Sequence, residues 1–343
     1  MKAGLVGYAR TGKTTLFNAL TGQNAGARAQ VNLGSIKVPD PRIDALSAIY
    51  KPRKTTYAEM RFVDVPGPRG KGSGLDAEAL RALLEVDAFC LVVRGFKAPD
   101  GALADPAREI ADFDAELVLS DLDKVEKRLD RLRKEHGKGT SEQMELERLR
   151  AHLDRGAPLR AMALSDSEEK ELAHHDFLSR RPLLVVVNVE EERAAEAASP
   201  PVVGLARERS AGVLALCASV EAEIARLDPA DQPEFLKSLG LLEPARARFL
   251  RAAYALLDLI SFFTVGEDEV RAWPVHRGDK APRAAGRIHS DLERGFIRAE
   301  AVHYDDFIAA GSESRARQEG KWRLEGKEYV VRDGDILNIR FAV

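Results

Sequence analysis

The sequence predicts an α/β chain: a domain built on a mostly parallel sheet, an α-helical hairpin inserted into it, and a smaller α+β domain at the C-terminal end. Three observations carry this. Continuous apolar runs alternate with helical stretches through residues 1–113 and resume after 180, as strands do in a parallel sheet covered on both faces. Between them, Leu122, Val125, Leu129 and Leu132 recur at three-four-three spacing, the seam of a coiled coil. From Ser261 onward, strand-like pieces separated by turn residues dominate.

The elements follow in order. Lys2 to Val6 is a short apolar run bounded by Gly7, a buried strand. "TTLFNAL" opens a helix with Leu16, Phe17 and Leu20 on one face and Gly22 just past its end. "GQNAGARAQVNLGSIKVPDPR" is loop with one short strand. "AEMRFVDVPG" is a strand running into a turn, "LDAEALRALLEVD" an amphipathic helix, and "AFCLVVRGF" a buried strand. After the leucine seam, "EHGKGT" breaks the helix, and Thr140 and Gln143 are spaced as a capping box for a second helix carrying Leu146, Leu149 and Leu153. The charges of this hairpin read as a solvated helix face. "RPLLVVVNVEEE" is the next strand, "GVLALCASVEAEIARL" a strand and helix, and 230–257 is helical. The tail holds "SFFTVG", "EVRAWPV", "GFIRAEAVHY" and "KEYVVRDGDILNIRF"; Asp333-Gly334-Asp335 signals a hairpin turn. The expected domains are 1–113 with 181–228, the insertion 114–180, a helical connector 229–258, and the tail 259–343.

Composition narrows the class. A net charge of −3 gives no bulk drive toward nucleic acid or membrane, so any nucleic-acid contact needs a local patch and no DNA partner is expected. Cys90 and Cys217 sit in apolar runs and read as small core residues. With no cysteine framework, signal peptide or long apolar segment, the expectation is a reduced, soluble, cytoplasmic protein without a membrane partner.

One stretch carries chemistry. "GYARTGKTT" places Gly7 and then, four residues on, Gly12-Lys13-Thr14 between a strand and a helix, the setting a phosphate-binding loop requires. The backbone N–H groups of Arg10, Thr11, Gly12, Lys13, Thr14 and Thr15 then point inward at a helix N-terminus. Lys13 is placed to reach the β- and γ-phosphates, and the Thr14 hydroxyl to sit on Mg²⁺. Asp64 ends the next strand and can hold the metal through water. Gly67 after it can donate its N–H to a γ-phosphate. Lys13, Asp64 and Gly67 are the candidate catalytic group; Thr14 and Asp64 the candidate metal ligands.

The base side is less typical. A GTPase carries Asn-Lys-x-Asp where this chain has Asn188-Val189-Glu190-Glu191. Asn188 can pair with a purine edge, since its amide both donates and accepts. The missing Asp removes the main force favouring guanine. Asn188, Val189 and Glu191, with the backbone N–H at Ala218, are the candidate base-side contacts. The ligand is ATP or GTP.

Over nearly its whole length the chain resembles the YchF or Obg-like ATPase family of P-loop proteins. The resemblance rests on "VPDPRIDALSAIYKP", "FVDVPG", "GSGLDAEAL", "VDAFCLVVRGF", "LVLSDLDKVEKRL", "NVEE", "ASVEAEIARL" and, most specifically, the tail from "AAYALLDLISFFTVG" to "GKEYVVRDGDILNIRF". It implies a P-loop NTPase G domain, a coiled-coil insertion and a C-terminal ubiquitin-like TGS domain. It also implies slow NTP hydrolysis, acceptance of ATP, and association with the ribosome or its RNA. Three departures stand out. The threonine that precedes the family's Pro-Asn-x-Gly, and would complete the Mg²⁺ shell, falls at Arg28, while Asn32 and Gly34 match. The histidine expected two residues before Val93-Arg94 is Leu91, and Pro68 replaces a leucine. Two functions stay open on the sequence: a slow ribosome-associated NTPase, or a nucleotide-sensing module without useful turnover. A small-molecule kinase is a distant third, since it needs an acceptor pocket and a lid.

Overall fold

The computed structural model describes residues 2–23, 32–65, 77–98, 101–136, 140–172 and 174–342. Along the chain the strands are β1 (Lys2–Val6), β2 (Asn32–Lys37), β3 (Lys54–Thr56), β4 (Glu59–Asp64), β5 (Ala88–Arg94), β6 (Leu183–Asn188), β7 (Gly212–Leu216), β8 (Leu259–Thr264), β9 (Glu269–His276), β10 (Phe296–His303), β11 (Arg323–Glu325) and β12 (Asp335–Phe341). The helices are α1 (Lys13–Thr21), α2 (Pro41–Tyr50), α3 (Ala77–Leu84), α4 (Pro106–His136), α5 (Ser141–Leu153), α6 (Asp166–Leu172), α7 (Pro200–Glu208), α8 (Ala218–Ile224), α9 (Gln232–Ser238), α10 (Ala245–Leu256), α11 (Ala281–Ile288), α12 (Ser290–Arg294), α13 (Tyr304–Ala310) and α14 (Glu313–Gln318). The chain divides into two units: residues 1–35 with 61–256, and 36–60 with 257–343.

The first unit is an α/β domain on a sheet of order β2-β4-β1-β5-β6-β7. β1 pairs in parallel with β4 and β5, and β5, β6 and β7 continue in parallel. β5 and β6 are buried along nearly their whole length, which is why they read as unbroken apolar runs rather than alternating ones. Cys90 and Cys217 are both buried free thiols.

The inserted hairpin is rooted deeper than its leucine seam shows. α4 starts at Pro106, in the first turn where a missing N–H costs nothing, and the Asp105 carboxylate accepts from Arg108 N at 3.0 Å. Ile110, Phe113 and Leu117 lie in the core of the sheet domain. Val118, Val125, Leu129 and Leu132 of the same helix pack with Leu146, Leu149 and Leu153 of α5. α4 is therefore one helix of 31 residues, about 46 Å long, that runs through the expected boundary at 113/114. Its root is fixed by buried charge. Asp114 bonds Arg160 and Arg209, and Asp121 accepts from Leu178 N at 2.9 Å and Ser179 N at 2.6 Å. At the far end, the Thr140 hydroxyl caps α5 by accepting from Gln143 N at 3.2 Å, as the spacing implies.

The second unit is an α+β module whose six-stranded sheet runs β11-β10-β12-β8-β9-β3. Its edge strand comes from outside the tail. β3 pairs in parallel with β9, Lys54 opposite Glu269 and Thr56 opposite Arg271. The helix before it, α2, packs with the tail as well. Asp40 caps α2 by accepting from Arg42 N at 2.9 Å. The Arg42 guanidinium then bonds both Asp40 and Asp333, at 2.7 and 3.0 Å, and lies 5.2 Å from the centre of the Phe263 ring. Tyr50 stacks on Phe307 at 5.7 Å. Sequence reasoning assigned 36–60 to the nucleotide domain; it belongs with the tail.

Asp333-Gly334-Asp335 also behaves differently from the expected hairpin turn. Residues 328–332 form no strand with β12. Ala281 N and Val331 N instead bond Tyr329 O and Asp279 O, tying this stretch to the start of α11. The Asp333 carboxylate is taken up by Arg42 and by Ser261 N at 2.9 Å, so the turn serves long-range bonds rather than a local ladder.

Arg42→Ala should weaken the second unit selectively. Losing charge-assisted bonds of this kind costs about 2 kcal/mol. Amide exchange in β8 and β12 should accelerate while that in β5 and β6 stays as it was; acceleration in neither pair, or equally in both, contradicts the clamp.

Candidate functional site

The glycine loop lies at the C-terminal end of β1, the end at which parallel α/β sheets bind ligands. Its two glycines are there for clearance. A Cβ at Gly7 would stand 2.5 Å from Val92 O, and one at Gly12 would stand 2.2 Å from Asn188 Nδ2; Gly12 also has φ +84°. Arg10 takes a left-handed conformation, φ 67°, uncommon outside glycine and typical of a loop that turns its amides inward. The Thr11 side chain is buried and its hydroxyl donates to Tyr8 O at 3.1 Å, closing the loop on itself. Gly12 O accepts from Leu16 N at 2.9 Å, so α1 begins at Lys13, with Thr14 partly buried and Thr15 exposed on its first turn.

Lys13 and Asp64 meet. Lys13 Nζ lies 2.5 Å from Asp64 Oδ1 and 2.5 Å from Val65 O, and both side chains are largely buried. Asn32, the first residue of β2, donates from Nδ2 to Asp64 Oδ2 at 3.4 Å. The two oxygens of the acid are thus held from two sides. Gly67, Pro68 and Arg28 lie outside the described residues.

The base-side candidates are rearranged relative to the sequence reading. Asn188 donates from Nδ2 to Thr11 O at 2.8 Å and accepts at Oδ1 from Ala218 N at 2.9 Å. Its carboxamide braces the phosphate loop against the start of α8. Its carbonyl oxygen, and the Ala218 N–H expected to meet a purine, are spent on each other. The Val189 side chain is buried in the sheet-domain core and faces away from the site. Glu191 is exposed on the turn after β6, as are Glu190 and Glu192. Its neighbour Glu190, not singled out in the sequence, accepts from Lys97 N at 3.0 Å and pins the loop after β5.

Tyr8 was also missed, because a loop position marked "any residue" carries no signal. It packs against the sheet-domain core, and burial, then Asp112, Glu116 and Glu109 of α4, pushes its phenol above the ordinary range. Glu109 accepts from Arg94 N at 2.9 Å, and burial raises its carboxyl despite that bond. Leu91, where the family pattern has histidine, is fully buried in the same core as Val65, Ala79 and Leu83.

A separate cavity of about 770 Å³ opens at the other ends of the strands, lined by Val86, Asp87 and Pro182 with Arg160 and Arg181. Its arginines are committed: Arg160 to Asp114, Arg181 to the carbonyls of Leu83, Leu84 and Val86.

Strand β1, the loop and α1 are the strand–loop–helix unit of the P-loop NTPases, and Asp64 stands one strand over, where that class keeps its metal-side acid. Comparison with known proteins narrows the class. A model described as a 50S ribosome-binding GTPase matches residues 2–128, and the YchF GTPase C-terminal model, described as a protein of unknown function, matches 259–342. The ribosome-binding ATPase YchF of Haemophilus ducreyi is 41% identical, over 100% of this chain and 99% of its own. That of Bacillus subtilis is 39% identical, over 100% of both. The solved structure of the Schizosaccharomyces pombe YchF GTPase superposes with a TM-score of 0.88 at 29% identity, covering 99% of this chain and 97% of its own. The chain belongs to the YchF family.

If Asn188 braces rather than reads, Asn188→Ala should lower ATP and GTP affinity by the same factor, about tenfold for two lost hydrogen bonds. A change in the ATP-to-GTP ratio, measured by calorimetric titration, would assign it to the base instead.

Proposed function

We propose that the protein binds a purine nucleoside triphosphate with Mg²⁺, takes ATP at least as well as GTP, hydrolyses it slowly, and couples the bound nucleotide to association with the ribosome in the cytoplasm. The observation that carries this is the Lys13–Asp64 apposition at the mouth of a glycine loop. One cation and one acid there match what a phosphate and its counter-ion need. The curated relatives are named ribosome-binding ATPases, while the solved relative is titled a GTPase. ATP is favoured here because Asn-Lys-x-Asp is absent from the sequence. Among the described residues no helix is long and apolar enough to cross a membrane.

The donor set suits Mg²⁺. The Thr14 hydroxyl and the Asp64 carboxylate are hard oxygen donors, and no cluster of three or more His, Cys, Asp or Glu exists among the described residues. Mg²⁺ is commonly held by one or two protein oxygens plus phosphates and water, so such a cage is not required. When bound, the ion offsets negative charge on the β- and γ-phosphates. The chain's own contribution is the nest of amides from Arg10 to Thr15, which fixes the phosphates, and Lys13, which neutralises them. Slow turnover follows from Leu91: a buried aliphatic side chain has no atom with which to orient a water.

Lys13→Ala should abolish binding of both ATP and GTP in calorimetric titration while the chain stays folded, and the wild type should bind ATP no more weakly than GTP. Unchanged nucleotide affinity in the variant overturns the reading. Single-turnover assays of the isolated protein with Mg²⁺ should show slow hydrolysis. Brisk hydrolysis would require a water-positioning group outside those described here.

A further inference from the structure

Asp64 is buried and ends its strand beside the phosphate loop. Such a carboxylate works as a metal-side group only if its lone pairs are aimed. Two oxygens offer about four acceptor directions, and each bond from the protein removes one and orients the rest. Lys13 holds Oδ1. That bond is not a permanent fixture of the working site, because the same ammonium is needed by the β- and γ-phosphates. Among the described residues, the other side chain that bonds Asp64 is Asn32, from Nδ2 to Oδ2 at 3.4 Å. Asn32 opens β2, whose sheet neighbour is β4, the strand that Asp64 ends.

We infer that Asn32 is a positioning residue for the metal side of the site: its amide fixes the Asp64 carboxylate when Lys13 turns to the phosphates. The chemistry fits an asparagine. Its Nδ2 is a neutral donor, so it orients the acid without neutralising it, whereas a second cation there would compete with Mg²⁺ for the same charge. Residues that hold a metal-side carboxylate in this way typically contribute about tenfold or more to metal affinity without touching the metal. This inference rests on the reading of the loop as a Mg²⁺–nucleotide site.

The test measures nucleotide binding to the full-length protein, with Mg²⁺ as the variable. ATP affinity is titrated calorimetrically across a Mg²⁺ series, and ADP affinity is measured in excess chelator. Asn32→Ala should raise the Mg²⁺ concentration for half-maximal ATP binding about tenfold, and leave metal-free ADP affinity at the wild-type value. Asn32→Gln, which keeps an amide donor, should recover part of the shift. Unfolding midpoints of both variants show whether the chain is intact. An unshifted Mg²⁺ midpoint in Asn32→Ala overturns the inference. So does a parallel loss of metal-free ADP affinity, which would make Asn32 a support of the loop alone. If Asn32→Ala fails to fold, Asn32→Gln decides: a midpoint lying between wild type and a tenfold shift supports the role, and loss of metal-free ADP binding denies it. Absence of ATP binding by the wild type, or an unaffected Lys13→Ala variant, would strike the nucleotide reading itself and this inference with it.

Discussion

The carboxamide of Asn188 is the contact on which the nucleotide site depends. One end takes the carbonyl of Thr11 and the other the N–H of Ala218, so a single side chain joins the phosphate loop to the start of α8. A phosphate nest works only if its amides converge in advance, because aligning them at the moment of binding would cost about 1–2 kcal/mol of backbone entropy for each residue fixed. The brace explains Gly12 as well. The Nδ2 atom passes so close that any β-carbon there would collide with it. Strand β6, buried on both faces, delivers Asn188 to this spot with little freedom to wander.

The same economy of contacts ties the loop to the helical hairpin. Burial, and then the nearby charges of Asp112, Glu116 and Glu109 on α4, raise the Tyr8 phenol, and Glu109 holds the N–H of Arg94 at the end of β5. Because α4 is continuous from Pro106 to His136, with its near half in the sheet-domain core and its far half in the leucine seam, the hairpin has no linker at its root. The buried Asp114 between Arg160 and Arg209 works in the same direction. Removing one partner of such a group strands a charge in the interior, which makes the root costly to rearrange.

What the sequence made legible was local. The strand–glycine–helix pattern placed Lys13 and Thr14 at the start of α1, and leucine spacing gave both arms of the hairpin, because each depends on residues a few positions apart. Two misreadings are long-range. α2 and β3 were assigned to the nucleotide domain by chain order, yet Arg42 spends its guanidinium on Asp333, 291 residues away. Asp333-Gly334-Asp335 has the composition of a tight hairpin, but its first carboxylate is claimed by that distant arginine and by Ser261 N. Val189 was offered as a base-side contact, but its side chain is buried in the sheet-domain core. Asn188 was read as a purine contact; its carboxamide bonds Thr11 O and Ala218 N, and a group that both donates and accepts suits a purine edge and a backbone brace equally well.

That last ambiguity bears on how the site chooses its nucleotide. If the asparagine is committed to the loop, the bulk of the binding energy comes from phosphates, through the amide nest and Lys13, and is shared by every nucleoside triphosphate. Base selection is then left to weaker groups. Glu191 is exposed to solvent, where a hydrogen bond exchanges with water at little net gain, and Val189 is turned into the core. A guanine-selective site needs a buried carboxylate that leaves an unpaired charge when the wrong base enters, and rejection of that kind is strong because desolvation is expensive. Without one, a site loses stringency rather than reversing it. A site without such a group penalises neither purine strongly, which is a physical reason for members of one family to bear the names of both an ATPase and a GTPase.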